Sequence, residues 1–418
     1  MSRAESERPL RDRAASQVEI ERLRARIDAV DDAILAQLNE RAELVGQVGR
    51  EKQAEGSAVC EPTRERRIIE RLRAGNPGPF PSAGIAPVFR EIISATRSLE
   101  EAIRVAYLGP EGTFSHQAAR EHFGALAVLC GVARISDVFA AVEAGRAQLG
   151  IVPVENTTEG VVTQTLDAFG EREVNVCAER VLRISNALLS RSGRLEDVKR
   201  VISHPQPLAQ CRRWLDQQLP QAARVEAAST AAAAQQAAED PECAAIGSLW
   251  SAEVYGLAVI AASIEDRRDN STRFLVIGGD PPPPSGRDLT SAVFTIRRDE
   301  AGALFRLIEP FARERVSLTS IQLRPIKGKP WEYLFFIDCE GHRSEAAVHR
   351  ALEGAGRVAH STRVLGSFPR AEDDRPRSQV SRSPQGGDAA AQRGEAERSV
   401  GSREGGKASE DQQRGGGR

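Results

Sequence analysis

Three short polar runs carry residue types that could bind a small anionic substrate and protonate it. Residues 152–157 (VPVENT) place a carboxylate, a carboxamide and a hydroxyl side by side at Glu155, Asn156 and Thr157. Residues 203–211 (SHPQPLAQC) and 270–274 (NSTRF) add hydroxyls, carboxamides and an arginine. Such groups can bind a small ligand by hydrogen bonds. Each run taken alone is also typical of a capped helix start or a turn.

The position of these runs favours a binding site, because they lie at the ends of predicted buried strands. Apolar stretches at 147–151 and 198–202 are typical of strands, and Pro153, which has no N–H for a ladder, predicts the end of the first. A glycine-rich turn at 109–116 and a polar run ending at Thr230 precede predicted helices, whose N-termini can bind anions. Ligands of α/β sheets bind at the carboxyl ends of strands, so the runs predict one shared site.

A second group of candidate residues consists of cations on a long predicted helix. Residues 18–53 contain no proline and have apolar side chains at helical spacing, which predicts a helix too long for a small monomeric domain. Arg41 and Lys52 are about three helical turns apart and therefore face the same way. Arg24 lies roughly 42 Å before Lys52 along the helix, so it could serve a site near Lys52 only in a second chain. The alternative is that all three are solvated surface residues.

Further elements complete three predicted domains and a tail. Shorter helices are predicted over 63–73 and 88–104, joined by a glycine- and proline-rich connection. Residues 371–418 contain no leucine, isoleucine or aromatic side chain and are predicted to be disordered. Between the prolines at 281–284 and this tail, the predicted order of elements is βαββαβ, a ferredoxin-like fold. These elements are predicted over 289–297, 303–313, 316–323, 331–339, 343–352 and 358–365.

Composition argues against several classes of function. The 418 residues carry a formal net charge of −2, which gives no reason to expect nucleic acid or an anionic membrane surface as a partner. No apolar run approaches the length of a membrane span, and the polar N-terminus has no secretory signal pattern. The six cysteines and six histidines are scattered singly, so we expect reduced thiols in a cytoplasmic protein, with no metal site and no other cofactor.

The helical region resembles the chorismate mutase domain of bifunctional chorismate mutase–prephenate dehydratases. The resemblance covers residues 16–101 and rests on the runs LRARID at 23–28, NERAEL at 39–44, VGREK at 48–52 and RER at 64–66. It implies an all-α fold of the AroQ type and an intertwined homodimer in which one chain contributes to the site of the other. The site residues that it implies are Arg24, Arg41, Lys52, Glu61, Arg64, Glu65, Thr96 and Glu100.

By this resemblance the substrate of the helical domain would be chorismate. Arg24, crossing from the partner, and Arg41 would hold its two carboxylates, and Glu65 would accept a hydrogen bond from the ring hydroxyl. Lys52 would stabilise the negative charge that grows on the ether oxygen as its bond breaks. The rearrangement to prephenate is intramolecular, so it needs conformation and electrostatics but neither a covalent intermediate nor a cofactor.

Two positions depart from the usual pattern of that family. Thr96 stands where a serine is common, and Glu100 stands where some members have glutamine. A carboxylate cannot donate a hydrogen bond to the ether oxygen, so we expect Glu100 to act as a neutral acid in a dry site. Mutase activity should then fall with rising pH, and Glu100→Gln should flatten that fall.

The three polar runs are similar to signatures of prephenate dehydratase, over residues 103–279. The resemblance implies a two-lobed α/β domain, like periplasmic binding proteins, with the substrate in the cleft. Prephenate must lose its ring hydroxyl as water and its ring carboxylate as carbon dioxide, so the enzyme has to assist the departing hydroxide. Thr272 would donate to the leaving oxygen, with Glu155 as the acid behind it. The predicted positioning residues are Thr113, Ser115, Asn156, Ser203, Gln210, Thr230 and Arg273.

Residues 287–370 resemble the ACT-type regulatory domain through which phenylalanine inhibits these enzymes. The resemblance rests on GAL at 302–304 and LRP at 323–325, with Gln322-Leu323 in place of the usual Glu-Ser. Gly302 would let an effector approach the backbone closely. The effector-binding residues that it implies are Gly302, Ala303, Leu304, Gln322, Arg324 and Pro325.

Two other interpretations compete with a bifunctional enzyme of phenylalanine biosynthesis. The chain could be a sensor that binds a small molecule without catalysis, or a dehydratase whose helical domain only dimerises. The pair Glu155 and Thr272 argues against a pure binding protein, which needs no proton donor at a leaving group. The retained cations of the helical domain argue against the second interpretation. An assay that starts from chorismate and follows prephenate and phenylpyruvate separately distinguishes all three.

Overall fold

The computed structural model describes residues 8–55, 62–99, 102–297, 301–326 and 332–371. Glu61, Glu100 and residues 372–418 lie outside the described residues, so the expectations for the two carboxylates and for the tail stay predictions. Of Lys52 only the backbone is described, within a helix. Among the helices described, none is both long and apolar enough to span a membrane.

The N-terminal region is helical, as predicted. It consists of α1 (Arg8–Glu55), α2 (Pro62–Ala74) and α3 (Ser82–Arg97). Helix α3 packs against both α1 and α2, and it begins before the predicted start at residue 88 because Pro87 is accommodated inside it while Ile85 and Ala86 are buried. Helix α1 is about 72 Å long, and a row of apolar side chains along it is between 40 % and 71 % exposed. This row comprises Val18, Ile20, Leu23, Ile27, Val30, Ile34, Leu35, Leu44 and Val48.

The first lobe of the α/β domain is built around a mixed sheet. Its elements are β1 (Arg104–Leu108), α4 (Phe114–Phe123), β2 (Val128–Val132), α5 (Ile135–Glu143), β3 (Leu149–Asn156), β4 (Gly160–Val161), α6 (Thr163–Glu171) and β5 (Val176–Arg183). Strands β1, β2 and β3 are parallel, and β4 folds back on the end of β3. Buried apolar clusters cover both faces of this sheet.

The second lobe has its own five-stranded sheet, and the chain then returns to the first lobe. Its elements are β6 (Ala187–Ser190), β7 (Arg200–Ser203), α7 (Pro205–Gln210), α8 (Arg212–Gln218), β8 (Ala223–Glu226), α9 (Thr230–Glu239), β9 (Cys243–Gly247), α10 (Leu249–Tyr255) and β10 (Ala258–Ala261). The strand order is β10-β6-β9-β7-β8. Strand β11 (Ser271–Gly278) then inserts between β3 and β5, antiparallel to both. The two crossings between the lobes create a cleft, as the resemblance to prephenate dehydratase implies.

Strand β3 does not end at Pro153, so that prediction is wrong. Strand β1 pairs with β3 only as far as Ile151, and the missing N–H of Pro153 therefore leaves no ladder partner unsatisfied on that side. On the other side the register with β11 shifts, which leaves Val154 as a bulge residue. The strand thus continues to Asn156 and carries the polar run with it.

The C-terminal domain has the predicted βαββαβ order. Its elements are β12 (Asp288–Arg297), α11 (Ala303–Arg313), β13 (Leu318–Pro325), β14 (Glu332–Glu340), α12 (Ala346–Val358) and β15 (Ser361–Pro369). The strands form one antiparallel sheet in the order β13-β14-β12-β15. The two helices pack together over one apolar face of this sheet.

The other face of this sheet shares a core with the first lobe. One continuous buried cluster joins Val176 and Leu275 of the first lobe to Phe336, Leu365 and Phe368 of the C-terminal domain. The contact is so close that a β-carbon at Gly366 would overlap the carbonyl oxygen of Val176. The two domains are therefore packed as one body and not merely tethered by the prolines.

Candidate active sites

A cavity of about 510 Å³ lies between the two lobes of the α/β domain. It is bounded by the start of α4, the ends of β3 and β11, and the helix starts that follow β7 and β8. Six of the predicted residues line it, namely Thr113, Ser115, Asn156, Gln210, Thr230 and Thr272. Segments more than 150 residues apart in the sequence thus meet at one site, as expected for an α/β cleft.

Asn156 is the most highly connected side chain at this site. Strand pairing places it opposite Thr272, and its Nδ2 donates to Thr272 Oγ1 at 2.9 Å and to Asn270 Oδ1 at 2.8 Å. Its Oδ1 accepts from the backbone N–H groups of Thr158 (2.9 Å) and Glu159 (3.1 Å). Because the Thr272 hydroxyl accepts from Asn156, its own hydrogen is left to donate elsewhere, and the cavity lies in front of it.

The glycine-rich turn before α4 is held by α10 of the second lobe. The carbonyl oxygen of Gly112 accepts from Ser251 Oγ at 2.7 Å, and Nδ1 of His116 accepts from both the Gly112 N–H (3.0 Å) and Trp250 Nε1 (3.1 Å). Gly112 has a φ of 80°, and a β-carbon there would lie 2.7 Å from the ring of Tyr255. These contacts fix the backbone N–H groups at the start of α4 beside the cavity, where they can bind an anion.

The second lobe contributes mainly carboxamides to the cavity. Gln210 Oε1 accepts from Asn186 Nδ2 and from Asn270 Nδ2, both at 3.4 Å. Gln210 Nε2 and Asn186 Oδ1 are buried and have no hydrogen-bond partner among the described residues. Unsatisfied buried polar atoms that line a cavity are open to hydrogen bonds from a ligand or from water.

Three predicted residues do not reach the cavity. Side chains alternate along paired strands, so Glu155 and Arg273, which lie opposite each other, face away from Asn156 and Thr272. Arg273 instead forms ion pairs with Glu179 (3.0 Å) and with Asp338 of the C-terminal domain (2.6 Å). Glu155 lines a small space beside this C-terminal domain. The expected roles of Glu155 as an acid and of Arg273 as a substrate ligand are therefore not supported.

Ser203 is the third of these residues. It is fully buried at the end of β7 and donates to the carbonyl oxygen of Ile246 at 2.8 Å. It therefore ties β7 to the neighbouring strand β9 and cannot contact a substrate in this arrangement.

Five polar lining residues are not among the site residues predicted from the sequence: Glu159, Asn186, His204, Gln206 and Ser229. His204 caps α7, where its Nδ1 accepts from the Gln206 N–H at 3.4 Å. Partial burial raises the pKa of Glu159, an effect that the charge of His204 opposes. The signal for Glu159 was present in the sequence, since it lies two residues after the polar run at 152–157 and is followed by Gly160.

The structure brings together part of the predicted mutase site. Arg41 of α1 donates to the hydroxyl of Thr96, which is buried on α3. Burial lowers the pKa of Arg41, and the nearby charge of Arg64 lowers it further. Burial raises the pKa of Glu65, which lies 3.9 Å from Arg97. These residues of α1, α2 and α3 form a cationic corner with one carboxyl group of raised proton affinity.

Arg24 is far from this corner in its own chain. Its guanidinium pairs at 2.8 Å with Glu21, one turn earlier on α1, and both side chains are exposed. This placement agrees with the expectation that Arg24 has no role at the site of its own chain.

The predicted effector residues lie on two elements of the C-terminal domain. Gly302 caps α11 with a φ of 79°, and Ala303 and Leu304 form the first turn of that helix. Gln322, Arg324 and Pro325 lie on β13, an edge strand. The guanidinium of Arg324 is engaged with Asp167 of α6, to which it donates two hydrogen bonds at 2.9 and 2.7 Å. Arg324 therefore links this domain to the first lobe.

Comparison with known families and proteins covers all three domains. The sequence models of type II chorismate mutase, prephenate dehydratase and the ACT domain match residues 23–101, 105–282 and 291–357, respectively. A prephenate dehydratase from Arthrobacter aurescens, solved in complex with L-Phe, is 37 % identical, with a TM-score of 0.61 over 64 % of this chain and 90 % of that one.

Relatives matched over nearly their whole length are named for both catalytic activities in one polypeptide. The bifunctional chorismate mutase/prephenate dehydratase of Aquifex aeolicus is 45 % identical over 84 % of this chain and 98 % of its own length. That of Stutzerimonas stutzeri is 42 % identical over 84 % of this chain and 98 % of its length. The chain belongs to the bifunctional chorismate mutase/prephenate dehydratase family, with the mutase in its helical domain and the dehydratase in its two lobes.

Proposed function

We propose that prephenate binds in the cavity between the lobes and that Thr272 donates a hydrogen bond to its ring hydroxyl as that group departs. In this reaction the bond from the ring to its carboxylate breaks, and the electron pair enters the ring. The bond from the ring to the hydroxyl oxygen breaks at the opposite carbon, and phenylpyruvate, carbon dioxide and water result. Stabilising the departing oxygen is the main task of the protein, because the new aromatic ring supplies the driving force.

The observation that carries this assignment is the hydrogen bond from Asn156 to Thr272. Asn156 Nδ2 can only donate, so it fixes Thr272 Oγ1 as the acceptor and leaves the hydroxyl hydrogen for the substrate. Both side chains are almost completely buried at the cavity wall. A donor fixed in advance costs no reorganisation when the charge develops.

The two carboxylates of prephenate find donors on opposite walls of the cavity. Backbone N–H groups at the start of α4 and the Ser115 hydroxyl lie on the first lobe. Gln210 Nε2, which has no hydrogen-bond partner among the described residues, lies on the second lobe. A substrate held from both sides would be positioned with its hydroxyl towards Thr272.

Thr272→Val tests the assignment, because it keeps the shape of the side chain and removes the hydroxyl. We expect the dehydratase kcat to fall about 100-fold or more, while Thr272→Ser retains most of the activity. The mutase rate of the same preparation serves as an internal control. Near-normal turnover of Thr272→Val would exclude Thr272 as the donor.

In the helical domain, we propose that Arg41, Arg64 and Glu65 of one chain and Arg24 of a second chain together bind chorismate. The exposed apolar row on α1 supports this, because a stripe of that length needs a partner helix. The position of Arg24 far from Arg41 supports it too, since only a second copy can bring the two guanidiniums together. The assembly would then be a homodimer at least.

For the ACT domain, we propose that phenylalanine binds near α11 and β13 and inhibits the dehydratase. The similar enzyme from Arthrobacter aurescens was solved in complex with L-Phe. The contact of Arg324 with Asp167 provides a physical link from β13 to α6 in the first lobe. Titration of phenylalanine against the dehydratase rate tests the proposal, and a flat response would refute it.

A further inference from the structure

The departing hydroxyl of prephenate needs a proton, and Thr272 alone cannot supply one. A threonine hydroxyl donates a hydrogen bond but is far too weak an acid to give up its proton at neutral pH. An acid that can be reprotonated from water must therefore reach the same place. Glu155, the residue expected in this role, faces the C-terminal domain instead.

Among the residues that line the cavity, all of which lie in the described ranges, Glu159 is the one carboxylic acid. His204 is the other titratable group there and faces Glu159 from the second lobe. The remaining polar groups of the lining are hydroxyls and carboxamides, for example Asn156, Thr272 and Gln206. The choice of acid is therefore between one carboxyl group and one imidazole.

The backbone fixes Glu159 relative to Thr272. The Glu159 N–H donates to Asn156 Oδ1 at 3.1 Å, and the Nδ2 of the same carboxamide donates to Thr272 at 2.9 Å. The turn is closed by pairing of Asn156 with Gly160, whose φ of 82° suits glycine. One side chain thus sets the positions of both the hydroxyl and the residue that carries the carboxyl group.

Glu159 lines the cavity, but its side chain is also exposed to solvent. Partial burial raises its pKa, and His204 is the one charged group that opposes this. The elements that face it across the cavity add neutral side chains only, Thr272 and Asn156 from the first lobe and Gln206 from the second. A carboxyl group whose pKa is raised can act as a general acid.

We propose that Glu159 is the catalytic acid that protonates the departing hydroxyl of prephenate, while Thr272 orients it. The carbon–oxygen bond breaks, the oxygen takes the bonding pair and the proton of Glu159, and water leaves. The ring carboxylate leaves as carbon dioxide, and its bonding pair completes the aromatic ring. The Glu159 carboxylate then recovers a proton from solvent, so neither a cofactor nor a further reactant enters the balance. This inference rests on the proposed use of the cavity by prephenate.

The test compares Glu159→Gln with Glu253→Gln, which changes an exposed carboxylate of α10 that does not line the cavity. For Glu159→Gln we expect the dehydratase kcat to fall about 100-fold or more, with KM changed only a few-fold and the mutase rate unaffected. The control should retain its kcat. Thermal unfolding of both variants shows whether the fold is intact.

The pH profile separates an acid from a merely structural residue. In the wild type, kcat should fall as the pH rises through the pKa of Glu159, and this fall should be absent from the residual activity of Glu159→Gln. Partial recovery of Glu159→Ala activity by added acetate is also expected. A Glu159→Gln variant whose dehydratase kcat is within threefold of the wild-type value would overturn the proposal. It would also be overturned if the fall of kcat with rising pH persisted in Glu159→Gln but was absent in His204→Asn. If Thr272→Val is impaired and Glu159→Gln is not, the acid assignment alone fails and the site stands.

Discussion

Asn156 and Glu155 are adjacent in the sequence but serve different parts of the molecule. Asn156 lies in the dehydratase cavity, whereas Glu155 faces the C-terminal domain. The residue types at the site were predictable from the sequence, because polar runs at strand ends are recognisable. The face of the sheet on which each residue lies was not predictable, because Pro153 predicts the end of β3, whereas the strand continues to Asn156. Once the strand continues through Pro153, alternation places neighbouring residues on opposite sides.

Arg273 is expected to contribute to stability, since it neutralises two carboxylates between domains. Its side chain and those of Glu179 and Asp338 are 16 %, 6 % and 13 % exposed. Arg273→Met should lower the free energy of unfolding by about 3–5 kcal/mol, because it leaves both carboxylates buried without a cation. Denaturant titration measures this loss.

The matched control for this prediction is Arg267→Met. Arg267 pairs with Asp269 on the surface, where both side chains are more than 70 % exposed. Such an exposed pair contributes little to stability, because water and salt screen it. A loss for Arg273→Met no larger than that of the control would contradict a stabilising role for the buried pairs.

At the scale of elements, the hydrogen bonds of Trp250 and Ser251 in α10 to the turn before α4 connect the two lobes. We call this set of contacts the clamp. His116 is central to it, because its Nδ1 accepts two hydrogen bonds while its ring stacks on Tyr107. Burial lowers the pKa of His116, the nearby Arg120 lowers it too, and Glu111 opposes them. Protonation of Nδ1 would break both hydrogen bonds, so the geometry by itself also favours a lowered pKa for His116.

This clamp predicts a pH dependence of stability. The native pKa of His116 lies below its unfolded value of about 6.5, so the unfolded chain takes up the proton first as the pH falls. The contribution of His116 is therefore complete above that pH and is lost below it, by at most about 1.4 kcal/mol per pH unit. His116→Asn should reduce the pH dependence of the denaturant midpoint between pH 7 and 5, which is roughly the range in which the imidazole titrates in the unfolded chain. The control His349→Asn, at an exposed site on α12, should leave that slope unchanged.

The contact between β13 and α6 predicts a residue that matters for regulation but not for turnover. Asp167→Asn weakens the pair with Arg324 without touching the cavity. We expect the phenylalanine concentration for half-inhibition to rise about fivefold or more, a typical coupling between sites, while the uninhibited kcat stays within twofold. An inhibition curve that coincides with that of the wild type would show that this contact does not transmit the signal.

At the scale of the whole molecule, the order of domains was predictable and their contacts were not. The βαββαβ order follows from hydrophobic periodicity within each segment, whereas the two lobes were implied by the resemblance to prephenate dehydratase. The core that joins the C-terminal sheet to the first lobe depends on which faces meet, and no local pattern encodes that. Arg273 illustrates the difference: its place in a signature run was evident, but its partner Asp338 lies 65 residues away.

The proposed homodimer predicts complementation between two inactive variants. Arg24→Ala and Arg41→Ala should each abolish most mutase activity, because each removes one carboxylate ligand from every site. In a mixed dimer one site regains both arginines, so co-expression should restore about a quarter of the wild-type mutase rate if the chains pair at random. Sedimentation confirms that the dimers form. No recovery from mixed dimers would show that Arg24 acts within its own chain or not at all.

The close contact at Gly366 bears on how the proposed inhibition by phenylalanine could be removed from this enzyme. One approach is to delete the C-terminal domain and keep the helical and two-lobed domains. The shortened protein would expose Val176, Leu275 and their apolar neighbours to water as a continuous patch on the first lobe. Such a patch promotes aggregation in the host cell. Variants that phenylalanine does not inhibit should therefore be sought among single substitutions, which leave all three domains in place.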